Sequence, residues 1–476
     1  MKKRFAAVVM AAAFLAGCGA RNGDGLPTDV YAENGTQTET DSGEEIAADI
    51  GRLNFIETEM NLNGREIVMM SFQHHLFNYW EGDMDRTHND TLRVMEILRE
   101  IEQDYNATIN VVAAPAGAAI PARLFTARAA GDAPYDLLHV GMSDTFMEQI
   151  FANNLVMPVT HPIIRDIIKP DENPWNIKSD ISNVFGTQFG VNFLQLNYGR
   201  FLFSTMLFNR TFMERYSLGN FYEMVLNRTW TFESFDRILH QTTTATNGRV
   251  VPLSMIRESS LVPMFVKSNF GVLAEHDADG RLVFVGHEND NALFALNFLQ
   301  EAFLQNHLQE FGDAPIAEQR FADGDSLFFA SEYATLRRIT QGELSSEYAF
   351  GLLPPPIGPA ANEYRSSMHT AVLFYVINDI PNPREAAAIL VAMANRLQRT
   401  NIIQEELYHG LQDEYSAEML QILLDSVVVD MSRIHSDGRR LMAATGNNIL
   451  RGSSAAASLQ GIANRMNNYY NVLFTE

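Results

Sequence analysis

The segment from residue 66 to residue 140 alternates between short apolar runs and longer amphipathic stretches. Residues 66–72 contain four consecutive apolar side chains after a polar turn, which predicts a strand buried on both faces. A helix is predicted from about Asp90, because apolar residues then recur at helical spacing, and residues 108–113 predict a second strand. A strand, a helix and a strand within about 50 residues form a βαβ unit. We therefore expect an α/β fold whose sheet is mainly parallel and covered by helices on both sides.

The same order of elements continues along the chain. A second helix is predicted over residues 120–130, and residues 137–140 predict a third strand after a turn. Far downstream, residues 371–377 predict another buried strand. The sequence Asn382-Pro383-Arg384-Glu385 that follows is typical of a helix start, with Pro at the first helical position. The chain is therefore expected to return to the first sheet after leaving it.

Residues 227–235 predict the start of a further helix. Thr231 is a favourable N-cap, and Glu233 places a negative charge in the first turn. An apolar face follows it, so Trp230 is predicted to pack against the protein rather than to contact a ligand.

Length, charge and cysteine content limit the classes of protein to which this chain can belong. A chain of 476 residues exceeds the size at which one hydrophobic core stops growing, so we expect two lobes. The formal net charge of −23 makes nucleic acid an unfavourable partner. Cys18 is the only cysteine, which rules out an intramolecular disulfide.

The amino terminus has the pattern of an export signal. Lys2, Lys3 and Arg4 precede an apolar run over residues 5–17, which is shorter than the roughly 20 residues of a spanning helix. Leu15-Ala16-Gly17-Cys18 resembles the lipobox of bacterial lipoproteins. The resemblance implies that residues 1–18 form a lipoprotein signal peptide, and that Cys18 is joined to a diacylglycerol and becomes the first residue of the mature protein. The alternative is an ordinary signal peptide that ends near a cysteine.

Residues 19–63 are rich in Gly, Asn, Thr, Asp and Glu and show little apolar periodicity, which predicts a disordered tether. Acyl chains on Cys18 would hold the folded part at the outer face of the cell membrane without a spanning segment. The expected location is therefore extracytoplasmic, with a lipid anchor.

Several segments resemble, in order, the extracellular solute-binding proteins of ABC importers, in the cluster that includes sugar-binding lipoproteins. The first is a helix ending in Ala130-Gly131-Asp132, followed by Ala133-Pro134 and by Asp136 at the opening of a strand. The later segments are residues 206–218, 227–235, 321–329, 351–359 and 413–420.

This resemblance implies a hinged, two-lobe, periplasmic-binding-protein-like fold of type II, with a ligand cleft between the lobes. We expect the lobes to comprise residues 65–186 with 360–402, and residues 187–359 with 403–476. Residues 186–191 and 354–359 are the candidate hinges. The implied protein is a monomer without cofactor that is not an enzyme: it captures a solute outside the cell and delivers it to ABC permease subunits in the membrane.

Cleft-facing segments of this fold are the loops that follow strands. The predicted ligand-binding residues in those loops are His74, His75, Trp80, Asp144, Tyr198, Tyr333 and His369. Aromatic and polar side chains together, without a dense basic cluster, are typical of carbohydrate sites. The expected solute is therefore a sugar, and more specifically an oligosaccharide.

The sequence lacks the common catalytic and metal-binding motifs. The sequence contains no Gly-x-Ser-x-Gly elbow, P-loop, Rossmann glycine fingerprint or His-Glu-x-x-His. His74, His75 and His88 are the nearest approach to a metal cluster, but adjacent histidines in a strand point to opposite faces, so no metal is predicted. Two alternatives stay open: a lipid-anchored surface hydrolase that acts on carbohydrate, and a solute-sensing lipoprotein without a permease.

Overall fold

The computed structural model describes residues 56–71, 89–115, 119–141, 147–173, 183–184, 187–191, 204–256, 261–279, 281–340, 344–368, 372–398, 411, 413–433 and 435–472. The strands are β1 (Arg65–Ser71), β2 (Ala107–Ala113), β3 (Leu137–Gly141), β4 (Asn183–Val184), β5 (Thr187–Gln188), β6 (Ser204–Asn209), β7 (Val251–Met255), β8 (Ala274–His276), β9 (Leu282–Phe284), β10 (Leu308–Glu310), β11 (Ser326–Glu332), β12 (Phe350–Leu353), β13 (Ser366–Met368), β14 (Val372–Val376) and β15 (Val427–Val429). The helices are α1 (Asn89–Tyr105), α2 (Ala119–Ala130), α3 (Met147–Ala152), α4 (Arg165–Ile168), α5 (Arg210–Arg215), α6 (Phe221–Leu226), α7 (Phe232–Thr246), α8 (Leu261–Ser268), α9 (Asp290–Leu304), α10 (Ala314–Ala322), α11 (Tyr333–Thr340), α12 (Pro383–Gln398), α13 (Glu414–Ser426), α14 (Ser436–Leu450) and α15 (Ala455–Val472). Within these ranges, none of the helices combines the length and the apolar character that a membrane crossing requires.

The first sheet has four strands in the order β14-β3-β1-β2. Strand β1 runs parallel to β2 and β3, which confirms the predicted βαβ unit, and β14 returns antiparallel to β3. Its central residues are fully buried, including Ile67 and Met69 of β1 and Leu137 of β3, because helices cover the sheet. Helices α1 and α12 pack against each other beside it.

A buried carboxylate at the opening of β3 connects this strand to β1. The Asp136 carboxylate accepts a hydrogen bond from the Val68 amide at 2.9 Å and pairs with Arg65 at 2.5 Å. Arg65 also pairs with Glu385 in the first turn of α12. The pKa of Asp136 is raised, mainly by burial, and the Val68 amide and Arg65 oppose that shift. The aspartate that opens β3 therefore has a structural role in the packing of this sheet.

The second sheet has five strands in the order β10-β7-β11-β6-β12. Strands β7, β10 and β11 are parallel, and β6 runs antiparallel to β11 and β12. Trp230 is fully buried against this sheet, where it contacts Phe221, Phe235 and Phe328 at ring separations of 5.4–5.8 Å. Its indole N–H donates to the Pro354 carbonyl at 2.9 Å, so the predicted packing role of Trp230 is confirmed.

Followed through the described residues, the chain changes from one sheet to the other three times. Val191 bridges Phe374 beside the first sheet, and β6 of the second sheet begins at Ser204. The second passage lies between Met368 and Val372, and the third follows α12 and precedes α13, which packs on β12. Two lobes joined by three passages agree with the predicted architecture.

Two details of the boundaries differ from the sequence-based expectation. Strand β13 pairs with β15, and the Ser367 hydroxyl lies 3.0 Å from the Ser204 hydroxyl of β6. The chain therefore returns to the first sheet after residue 368, whereas the expected return was before residue 360. The candidate hinge at residues 354–359 is instead packed against the second sheet's helices, because the Ile357 amide donates to the Trp230 carbonyl and the Gly358 amide to that of Ser268. The lobe boundaries as a whole stay a prediction.

Candidate ligand cleft

The carboxyl ends of the parallel strands in the first sheet lie at one edge. Strand β1 ends at Ser71 beside β3, and β3 ends at Gly141. Strand β14 begins at Val372, which pairs with Gly141, so its amino end lies at the same edge. Ligands of open α/β sheets bind outside the carboxyl ends of the strands, and this edge is therefore one wall of the candidate site.

A buried histidine supports that edge. The Ser71 hydroxyl lies 2.8 Å from Nδ1 of His139, and the His139 ring stacks on Phe374 with a centroid separation of 4.0 Å. Burial lowers the pKa of His139 to about 3, so the imidazole is neutral at physiological pH. The hydrogen bond and the ring stack together link β1, β3 and β14 close to this edge.

Serine hydroxyls surround the corresponding edge of the second sheet. Ser204, the first residue of β6, pairs with Glu332, the last residue of β11. The Ser204 hydroxyl lies 3.0 Å from that of Ser367, and the Ser366 hydroxyl donates to the Ser204 carbonyl. These bonds fasten β13 to the carboxyl edge of the second sheet.

The link between β13 and β14 brings the two edges together. Met368 ends β13 and Val372 begins β14. Four residue steps span at most about 14 Å. Since β13 is bonded to the second edge and Val372 lies at the first, the two edges must approach each other at this point. The gap between them is the candidate ligand cleft.

The predicted ligand-binding residues belong to segments that adjoin these edges. Tyr333 follows β11 directly, as the first residue of α11, and its side chain is only 1% exposed. The others lie outside the described residues, as does Cys18: they are His74, His75, Trp80, Asp144, Tyr198 and His369. By connectivity, they belong to chain segments that begin or end at Ser71, Gly141, Ser204 and Met368. The predicted set therefore stays a prediction.

The structure also contains a cavity that the sequence analysis did not single out. It has a volume of about 580 Å³ and lies between α7, α9 and the loop over residues 357–362. One wall is apolar, with Phe232, Phe294 and Phe298, and the Phe232 and Phe298 rings stack at 4.6 Å. The polar lining includes the side chains of Arg228, Glu233, Asp236, His240 and Glu301. The only sequence signal for this site is the spacing of Asp236 and His240, which puts both on one face of a helix.

Three solved structures are similar to the structure of this chain. The sugar-binding protein MalE from Xanthomonas citri has a TM-score of 0.59 at 14% identity, covering 85% of this chain and 97% of that one. UgpB from Mycobacterium tuberculosis, solved with glycerophosphocholine, has a TM-score of 0.57 at 13% identity, covering 86% and 99%. The ABC substrate-binding protein Lmo0181 from Listeria monocytogenes, solved with cycloalternan, has a TM-score of 0.52 at 16% identity, covering 85% and 98%.

No protein-family profile and no curated protein sequence matches this chain. Two of the three are described as a sugar-binding protein and an ABC substrate-binding protein, and the third was solved in complex with a small solute. Their likeness extends over most of both chains. This chain therefore has the two-lobe, periplasmic-binding-protein-like α/β fold of the ABC substrate-binding proteins.

Proposed function

We propose that this chain is a lipid-anchored, extracytoplasmic solute-binding protein that captures a carbohydrate between its lobes and delivers it to ABC permease subunits. One observation supports this most directly. The short link between β13 and β14 holds the carboxyl-terminal edges of the two sheets close to each other. Two lobes that close over a solute create a form that a permease can distinguish from the open one.

Two lines of argument favour a carbohydrate. Solved proteins of similar fold include one described as sugar-binding and one in complex with the oligosaccharide cycloalternan. The predicted cleft loops also combine aromatic and polar side chains without a dense basic cluster, which is typical of carbohydrate sites. Glycerophosphocholine, the ligand of UgpB, is the principal competing class of solute.

The proposed location rests on the amino-terminal sequence. Lys2, Lys3 and Arg4, the apolar run over residues 5–17 and Cys18 fit an exported chain that is acylated on its only thiol. The chain would then act as a monomer held near its permease by the tether over residues 19–63.

A thermal-shift screen of the detergent-solubilised full chain tests the solute class. The ligands are maltose, linear and cyclic oligosaccharides, glycerophosphocholine, amino acids and short peptides. A true ligand at 100 times its Kd should raise the free energy of unfolding by about 2.7 kcal/mol. We expect an oligosaccharide to give this stabilisation and to be recovered intact, since a hydrolase would release shorter sugars.

Matched variants test the location of the site. Trp80→Ala combined with Asp144→Asn should abolish the sugar-induced shift, whereas Asp279→Asn, on an exposed side chain, should leave it unchanged. Stabilisation by glycerophosphocholine or a peptide and by no sugar would contradict the carbohydrate assignment. A sugar shift that survives the Trp80 and Asp144 changes would contradict the predicted loops.

A further inference from the structure

Three potential metal ligands lie close together at helix α7 and the start of strand β10. Asp236 and His240 are four residues apart on α7, and His307 immediately precedes β10. One ligand atom from each of the three lies within 4.8 Å of the other two. Nε2 of His240 is 3.7 Å from an Asp236 carboxylate oxygen, and the rings of His240 and His307 are 4.2 Å apart at an interplanar angle of 80°.

The three residues differ in how freely they can move. His307 is only 4% exposed, and its Nδ1 has no hydrogen-bond partner among the residues that the structure describes. Its backbone is held, because its amide donates to the Ala302 carbonyl and its carbonyl accepts from Leu253. The Asp236 and His240 side chains are about half exposed, at 46% and 54%, so they can rotate toward an ion. The cluster therefore combines one fixed imidazole with two adjustable side chains on a single helix face.

We propose that Asp236, His240 and His307 bind a divalent transition-metal cation of the Zn²⁺ class. Two imidazoles and one carboxylate are a typical donor set for zinc, with bonds of about 2.0–2.2 Å. Ligand atoms around a tetrahedral ion are about 3.4 Å apart at those bond lengths. The three side chains therefore need to close by at most about 1.4 Å from the observed 4.8 Å limit. The fourth position would be taken by water from the adjoining cavity.

The surroundings favour a cation. The cavity beside the three residues is lined by Glu233 and Glu301 as well as Asp236, against a single arginine, Arg228, in that lining. An excess of carboxylates raises the local concentration of cations.

The metal site is separate from the ligand cleft. His307 lies at the amino end of β10, whereas the cleft is at the carboxyl edge of the sheet. Asp236 and His240 are on α7, which packs on β7. Metal binding is therefore expected to be independent of solute capture, and it does not rest on the proposed transport function.

Isothermal titration of Zn²⁺ into the full chain in detergent tests this proposal. All proteins include Cys18→Ser, which removes the only thiol of the chain. We expect a Zn²⁺ site whose Kd rises at least about tenfold in Asp236→Asn, in His240→Ala and in His307→Gln. His276→Ala, which alters an exposed histidine on β8, should leave the Kd unchanged. Co²⁺ should give visible d–d absorption in the parent, and each ligand variant should weaken it.

Either of two results would overturn the proposal. One is the absence of any Zn²⁺ binding in the parent protein. The other is binding with the same Kd in the parent, in Asp236→Asn and in His240→Ala, which would place the ion elsewhere. These two changes affect half-exposed side chains, so the test remains valid if His307→Gln fails to fold. Solute binding should be the same in all folded variants, which separates this test from that of the transport function.

Discussion

At the scale of single residues, His139 is a buried ionisable group at the edge of the candidate cleft. Its pKa is lowered by burial from 6.5 to about 3. Between those values the unfolded chain binds a proton that the folded chain does not, so stability increases with pH in this window. Acidification from pH 7 to pH 5 should therefore cost about 2 kcal/mol through this residue alone.

Urea unfolding of the parent and of His139→Asn at pH 7 and pH 5 measures this effect. Asparagine preserves a polar atom near the Ser71 hydroxyl but does not titrate. The variant should be less stable than the parent at pH 7 and should lose about 2 kcal/mol less on acidification. An equal loss in both proteins would show that His139 is already protonated or is not shielded from water in the folded state.

At the scale of elements, helix α7 is held at its start by reciprocal bonds between Thr231 and Ser234. The Ser234 amide donates to the Thr231 hydroxyl at 3.3 Å, and the Thr231 amide donates to the Ser234 hydroxyl at 2.9 Å. This helix covers β7 and contains two of the proposed metal ligands. Its start was predicted from Thr231 and Glu233, and the observed capping box confirms it.

Thr231→Ala removes one of these bonds and should lower the free energy of unfolding by about 1 kcal/mol. Thr231→Ser is the matched control, because it retains the hydroxyl and should stay close to the parent. Denaturant unfolding of the three proteins at one pH checks this expectation. Equal stability of the alanine and serine variants would mean that packing alone sets the start of α7.

At the scale of the whole molecule, the amino-terminal segment determines where the folded lobes would work. If Cys18 is acylated, Cys18→Ser should move the chain from the detergent phase to the aqueous phase in a two-phase partition of cell extracts. An inhibitor of lipoprotein signal peptidase should leave the parent unprocessed and should not affect the variant. Partition of the variant with the lipid would contradict the lipobox interpretation.

Much of the first lobe was predictable because its strands and helix starts are indicated by residues that are close together in the sequence. Predicted strands over residues 66–72, 108–113 and 371–377 correspond to β1, β2 and β14 within about one residue. Helix α12 begins at Pro383, at the predicted first helical position. Continuous apolar runs and helix-start residues depend only on a few neighbours in the chain, so they can be recognised without knowledge of distant contacts.

The sites were less predictable because they combine residues that are far apart in sequence. The predicted ligand-binding set came from loops, where side-chain positions depend on the approach of both lobes rather than on a local pattern. Asp236 and His240 share a recognisable spacing, but nothing in the sequence links them to His307. Their meeting depends on the packing of α7 and on the pairing of β10 with β7.

By itself, the sequence determined the α/β class, the order of strands and helices, the burial of Trp230 and the pattern of an exported chain with one cysteine, because each depends on nearby residues or on composition. Only the tertiary structure decided that Asp136 pairs with Arg65, that the passage back to the first sheet follows Met368, and that a carboxylate and two imidazoles converge beside a cavity. These features arise from contacts between segments that are far apart in the sequence. Such contacts form only when the helices and strands have packed together into one fold.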